Sequence, residues 1–375
     1  MVKTKQKPFD FVLFITVLIM LAFGVIMVLS ASSPSALSES GNSYAYVTTQ
    51  AVSAILGIIL MLIISKIDYK FYAKFYKIAY WFSIVILLAV LIPGVGKSSG
   101  GATRWINLMG VTTFQPSEIV KIALIVFYAV FLSKNKEKLG RFGAGFITPF
   151  LIVVPIIAIL IFVQSHLSVC VVIILVISVM MLIAGTKLRY FLTCGVLGAA
   201  GGLGGLYLIA KITGEGMYRL SRITAFMDPW ADAKGTGWQI IQSLYAIGSG
   251  GLFGVGLGNS TQKYLYLPEP HNDFIFAVLA EELGFIGCLL VIILFAIFIW
   301  RGILISMKAK DMFGSLLAVG ITSQIGIQAI INIAVVTSSM PNTGMPLPFF
   351  SYGGTALLIL LCSVGILLNI SRNTR

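Results

Sequence analysis

The chain has 375 residues, 58% of them hydrophobic and only 10% charged, and its mean hydropathy is +1.00. A soluble core does not need that much apolar sequence; a bundle of spanning helices does. The formal net charge of +13 could suit nucleic acid, but the basic residues are dispersed in short stretches between apolar runs, which argues against a nucleic-acid partner and for a membrane protein.

The first apolar run, 9–31, follows Lys3, Lys5 and Lys7 and is too long for the core of a signal peptide, so it reads as an uncleaved span. Ten spans are expected in all: 9–31, 45–65, 75–93, 115–133, 146–163, 168–185, 190–210, 274–300, 313–336 and 353–370. One set of connecting stretches carries most of the basic residues: Lys66, Lys70, Lys74 and Lys77, then Lys134 to Arg141, Lys187 with Arg189, and Arg301 with Lys308 and Lys310. The positive-inside rule therefore puts both termini in the cytoplasm. The expected architecture is an all-α polytopic membrane protein, a single integral membrane domain over 1–375, with a long outer loop at 211–273 between spans seven and eight. Cys170, Cys194, Cys288 and Cys362 lie inside apolar runs with no metal-binding spacing and read as packing residues.

The outer side then holds loops at 94–114 and 211–273, a turn at 164–168 and a Pro/Gly-rich segment at 338–354. Long loops without structure of their own tend to be functional. Within 211–273, the stretch Gly237-Trp-Gln-Ile-Ile-Gln-Ser-Leu-Tyr-Ala-Ile247 is apolar but too short to span, and predicts an interfacial or re-entrant helix.

The candidates for chemistry cluster on this side. Asp273 heads the eighth span, with Glu269 and His271 just before it and Glu281 and Glu282 two turns further in. Asp is a preferred helix N-cap, which is the plainer explanation. However, a carboxylate entering a membrane segment costs roughly 2.5–3.5 kcal/mol at mid-helix, so such residues usually serve a function. Glu118 and Lys121 share one face of the fourth span, either as a self-neutralised pair or as a cation at the mouth of a polar cavity. Arg104 and Trp105 lie in the first outer loop, and Lys211, Arg219, Arg222 and Lys263 add cations suited to an anionic ligand such as a diphosphate. The run Gly248-Ser-Gly-Gly-Leu-Phe-Gly-Val-Gly-Leu-Gly258 follows no strand and is not a nucleotide loop; it reads as a tight turn with some backbone contact to ligand. Ser351 and Tyr352 lead from the Pro-rich segment into the last span, and His166 reads as a polar residue at a helix end.

Taken together, Ala102-Thr-Arg-Trp-Ile, Phe114-Gln-Pro-Ser-Glu-Ile-Val-Lys, Gly237-Trp-Gln-Ile-Ile-Gln-Ser, Leu267-Pro-Glu-Pro-His-Asn-Asp-Phe-Ile-Phe-Ala, Glu281-Glu-Leu-Gly and Pro346-Leu-Pro-Phe-Phe-Ser-Tyr-Gly-Gly resemble the SEDS family, the shape, elongation, division and sporulation proteins represented by RodA, FtsW and SpoVE. The long loop is closer to the division and sporulation branches. The resemblance implies a peptidoglycan glycosyltransferase in the bacterial cytoplasmic membrane that polymerises lipid II on the outer face. It further implies a class B penicillin-binding protein as partner, with other divisome or elongasome membrane proteins, and a divalent cation, Mg²⁺ or Mn²⁺, at a site it does not specify. The family's loop aspartate falls on Asp273, and Arg104, Trp105, Glu118, Lys121, Gln239, Glu269, His271 and Ser351 are the expected substrate-binding residues. One departure stands out: the family's Gln-Pro-Asp-Leu-Gly is Gln164-Ser-His-Leu-Ser168 here, so the role of that aspartate does not transfer to His166.

The expected reaction joins the 4-hydroxyl of one lipid-linked disaccharide to the anomeric carbon of another. The leaving polyprenyl diphosphate departs as an anion, so one base, Asp273, is enough, with Arg104, Lys121 and a metal stabilising the diphosphate. The alternative is a flippase for a polyprenyl-diphosphate sugar, which should keep polar groups along the whole depth and carry paired broken helices.

Overall fold

The computed structural model describes residues 8–99, 102–108, 112–195, 226–264 and 266–374. Helix α1 (Phe11–Ser40) starts where Asp10 accepts a hydrogen bond from Leu13 N and runs 30 residues to a left-handed Gly41. At 1.5 Å per residue it is about 45 Å long, well beyond a hydrocarbon slab of about 30 Å. Beyond the apolar run, Ser33 and Ser40 bond back to carbonyls one turn earlier, at Leu29 and Ala36.

The other helices are α2 (Ala45–Ile64), α3 (Tyr76–Leu88), α4 (Pro116–Lys134), α5 (Thr148–Ala158), α6 (Leu167–Ala184), α7 (Trp238–Gly250), α8 (Ile275–Met307), α9 (Met312–Val336) and α10 (Gly354–Arg372). Among the described residues, eight helical segments are long and apolar enough to cross a membrane, and Tyr76–Leu91 is a shorter apolar one. The expected seventh span, 190–210, is helical over 188–195, and the rest of it lies outside the described residues, as do Lys211, Arg219 and Arg222. Helix α9 packs against α4, α6 and α8, while α2 pairs closely with α10. Small residues allow that approach: a Cβ on Gly365 would fall 2.7 Å from Met61 O.

One end of the bundle is stitched across the sequence. Asp10 N donates to Ser371 Oγ at 3.0 Å, Arg301 pairs with Asp10, and Tyr69 OH donates to Asp311 at 2.8 Å. Both described termini therefore lie at the same end, and Asp273 at the other.

Two features differ from the expectation. The stretch read as a loop at 94–114 contains an antiparallel meander of β1 (Gly96–Ser99), β2 (Ala102–Leu108) and β3 (Thr112–Phe114), in which Lys97 faces Trp105 and Ile106 faces Phe114. Its strands are short and interrupted by glycines, which hides them from a search for periodicity. The glycine-rich run that ends α7 and follows it packs into a break in α8. Gly284 sits at φ 65° and ψ −163°, which cuts the helical ladder. The cut carbonyls of Glu281 and Glu282 accept from Val255 N and Gly256 N at 2.9 and 3.0 Å, and Phe285 N and Ile286 N donate to Gly251 and Leu252 carbonyls. Unsatisfied backbone in an apolar slab costs several kcal/mol per group, and the glycine loop removes that cost. Glycine is needed there: a Cβ on Gly284 would lie 2.4 Å from Gly254 N.

Candidate functional site

Three successive carbonyls hold the turn that carries Asp273. His271 O accepts from Tyr352 N at 2.9 Å, Asn272 O from Ser351 Oγ at 2.7 Å, and Asp273 O from Asn332 Nδ2 at 2.8 Å. Asn332 also donates to Met345 O, and Ser351 Oγ accepts from Leu347 N, so the Pro-rich segment 340–353 and the Asp273 turn form one unit. Gln50 on α2 adds to it, donating to Ser351 O and accepting from Gly353 N. The N-cap position of α8 is Phe274, one residue after Asp273. Asp273 is half-buried, and Gly344 passes so close that a Cβ there would lie 3.2 Å from Asp273 Oδ2. Glu269 is exposed beside it, with Oε2 accepting from Asn272 Nδ2 at 2.6 Å.

His271 is buried between aromatic rings, 4.7 Å from Tyr46 and 5.8 Å from Tyr352 by centroids. Burial pushes its pKa below the ordinary histidine value, and Glu269 and Glu39 pull more weakly the other way. Its neutral ring packs the turn in place.

A second group stands on the next turn of α9. Lys121 pairs with Glu118 at 2.9 Å and donates to Gln328 Oε1 at 3.0 Å. Gln328 in turn donates to Pro346 O. Gln328 and Asn332 are one turn apart, about 6 Å along the axis, so α9 holds the Lys121 pair and the Asp273 turn side by side. Arg104 on β2 donates to the carbonyls of Gln164 and Ser165 at 2.9 and 2.7 Å. His166, read from the sequence as a helix-end residue, is buried with Nδ1 3.5 Å from Gln115 Nε2. Desolvation first, then the charges of Arg104 and Lys121, lowers its pKa, so a neutral imidazole sits beside two cations. Trp105 alternates with Arg104 along the strand and points to the opposite face of the sheet. Gln239 at the head of α7 accepts from Asn342 Nδ2 at 2.7 Å and fixes the near end of the Pro-rich segment.

Of the expected residues, Glu269, His271, Asp273 and Ser351 share one turn, Arg104, Glu118 and Lys121 belong to the adjoining group, and Trp105 is turned away. Sequence reasoning missed Gln328 and Asn332. Their spacing of four, continued by Gln324, is an amide stripe down an apolar helix and could have been read as one. Lys263 is not an open cation for an anion, because Glu282, Ser30 Oγ and Gly258 O take all three of its ammonium donors. Among the described residues no group of three or more His, Cys, Asp and Glu side chains could hold a metal by itself. Mg²⁺ does not need such a cage, since one or two carboxylates and phosphate oxygens are enough. Asp273 and Glu269 are a donor set of that kind.

Residues 10–375 match the profile of the FtsW, RodA and SpoVE family, described as "cell cycle protein". Stage V sporulation protein E of Bacillus subtilis (strain 168) is 44% identical over 372 residues, 99% of each chain. A probable peptidoglycan glycosyltransferase FtsW of Geobacter sp. (strain M18) is 40% identical over 371 residues, again 99% of each. Among solved structures, one describing the coordination of polymerization and crosslinking by a peptidoglycan synthase complex aligns with TM-score 0.79 and 26% identity over 98% of both chains. The rod shape determining protein RodA of Thermus thermophilus aligns with TM-score 0.69 at 24% identity, over 98% of this chain and 97% of that one, a likeness of fold.

Proposed function

Because the chain belongs to the FtsW, RodA and SpoVE family of cell cycle proteins, we propose that it is a peptidoglycan glycosyltransferase that polymerises lipid II at the outer face of the bacterial cytoplasmic membrane. The observation that carries this reading is the grip on three successive carbonyls that presents Asp273 one helical turn from the Lys121 pair.

The acceptor's 4-hydroxyl attacks the anomeric carbon of the donor, and Asp273 takes its proton as the new C–O bond forms. The bond from the anomeric carbon to the diphosphate oxygen breaks, and the polyprenyl diphosphate leaves with the electron pair. No acid is needed at that oxygen; fixed positive charge is, and Arg104 and Lys121 supply it. Glu118 and Gln328 set the direction of Lys121. Glu269 and Gln239 are assigned to sugar contacts, His271 and Ser351 act by holding the turn, and Trp105, expected from the sequence to bind substrate, faces away from this group. A divalent cation would be held by the Asp273 and Glu269 carboxylates with the diphosphate oxygens, and would neutralise charge on the leaving group. A class B penicillin-binding protein and other membrane proteins of division or elongation are the proposed partners; the similarity to a peptidoglycan synthase complex supports this.

Asp273→Asn keeps the carbonyl grip and removes the base. The expected outcome is a folded protein whose polymerisation of purified lipid II falls by about 10²–10⁴-fold or more; near-normal polymer from that variant contradicts the assignment. The broken α8 is what a flippase would also carry, but its cut backbone groups are taken up by residues 251–256 and not left open to a passing ligand.

A further inference from the structure

The break at Gly284 has a mechanical consequence. The segment of α8 from Ile275 to Leu283 carries Asp273 at its head, yet its backbone ladder does not continue into the remainder of the helix. Gly284 lies about 14 Å along α8 from its start, with the glycine loop 251–256 packed directly against it. The direction of that short segment is set by what docks beside the break.

Two attachments do so. One is the set of four backbone bonds to residues 251–256 described above. The other is an ionic cluster, almost wholly buried, between α8, α1 and the stretch after the glycine loop. Lys263 Nζ reaches Glu282 Oε1 at 2.8 Å, Ser30 Oγ at 3.1 Å and Gly258 O at 2.7 Å, and Lys263 and Glu282 are 3% and 0% exposed. Ser30 Oγ donates to Glu282 at 2.6 Å, and Glu281 Oε1 accepts from Thr261 N and Thr261 Oγ1 at 2.9 Å. An ammonium has three donors, and all three have acceptors here. Lys263 therefore has none to offer a diphosphate. Apolar side chains would plug the same space at less cost, since buried pairs rarely gain over well-packed hydrophobic residues. What a three-pronged ammonium adds is a single seating for the loop.

We propose that Lys263 is a positioning residue for the reaction at Asp273: through Glu282, Ser30 and Gly258 it seats the glycine loop in the α8 break and so fixes the direction in which the short outer segment presents Asp273. Helix α1 takes part at two points. It supplies Ser30 to the pin, and at Gly24 it lies so close to the Pro-rich segment that a Cβ would fall 2.1 Å from Phe349 O. The same helix thereby references both the pin and the segment that grips the Asp273 turn.

The inference rests on the assignment of Asp273 as the base, and its test separates the two. Lys263→Met, Glu282→Gln and the double variant are purified as full chains, and each is measured for lipid II polymerisation and for backbone amide exchange by mass spectrometry. Lys263→Met leaves Glu282 buried without its cation. It is expected to lower kcat by about 10²-fold, the cost of a misplacement near 1 Å, with KM nearly unchanged. Exchange should quicken in 251–263 and in 269–276 together. The double variant, neutral at both positions but still without the three prongs, should regain stability against unfolding while kcat stays low and exchange at 269–276 stays fast. Wild-type kcat in Lys263→Met, a raised KM at constant kcat, or unchanged exchange at 269–276 overturns the proposal. A double variant with wild-type kcat overturns it too, since the loop would then need no ammonium to seat it. If Lys263→Met fails to fold, Lys263→Arg, which keeps the charge but alters the prongs, takes its place with the same readouts. Should Asp273→Asn prove active while exchange behaves as expected, the base is misassigned and the pin stands.

Discussion

Burial between Tyr46 and Tyr352 keeps the His271 ring neutral, and that has a cost that depends on pH. Its folded pKa is depressed, so as pH falls through the ordinary value of about 6.5 the unfolded chain takes up the proton first and the native state loses stability. Above that pH there is nothing to lose. The groups facing His271 are Tyr46, Tyr352, Glu269 and Glu39, and the two carboxylates soften the shift without cancelling it. His271→Phe keeps an aromatic ring in the stack and removes the titration. Its melting temperature is expected to fall less steeply than that of the wild type below about pH 6.5; His166, with a shift of the same sign, remains in both proteins. Parallel curves contradict the argument. At this scale much was legible from residue type alone. A carboxylate at a membrane entry is costly enough to single out Asp273, Arg104 stood out as a loop cation beside Trp105, and Glu118 and Lys121 by their spacing on one helix face. Ser351 was expected to bind substrate and instead holds a backbone carbonyl, while Gln328 and Asn332 were missed although their spacing of four on an apolar helix marks them. His166 was hidden for another reason: its place between two cations depends on β2 folding over the 164–166 turn.

At the scale of elements, the α8 break is the feature with the clearest energetic signature. Gly284 occupies a backbone region nearly closed to other residues, and an added Cβ meets Gly254 N and Leu252 O at 2.4 and 2.6 Å. Gly284→Ala is expected to lower unfolding free energy in detergent by about 3 kcal/mol or more, from strain and the displaced loop together. Gly41 is also left-handed but has nothing within 4 Å of its Cβ position, so Gly41→Ala should lose only about 1–2 kcal/mol. Equal losses would mean that the loop does not seat in the break. The sequence showed a glycine-rich run and a Glu-Glu-Leu-Gly helix as separate motifs. That they are two halves of one joint follows only when α7 turns back along α8, because the complementarity lies in carbonyls and amides. The β-meander was missed for a related reason, since strands of three to seven residues are too short for alternation to show.

For the whole molecule, membrane class was plain from composition, and the position of the polar groups decides between the two functions considered. The end holding both described termini is closed by structural pairs, Asp10 with Arg301 and Tyr69 with Asp311. The groups suited to chemistry, Arg104, Lys121, Glu269 and Asp273, gather at the opposite end. Lys263 in the ionic cluster at the α8 break is saturated by its own partners. That placement favours the proposed reaction at one face over the passage of a charged lipid, which needs polar groups along the whole depth. The direct test places the purified wild-type chain in liposomes with fluorescent lipid II and Mg²⁺ or Mn²⁺, and follows both glycan length and the leaflet in which the label resides. Long glycan strands that require Asp273 are the predicted result; exchange of label between leaflets with no polymer formed would contradict the account.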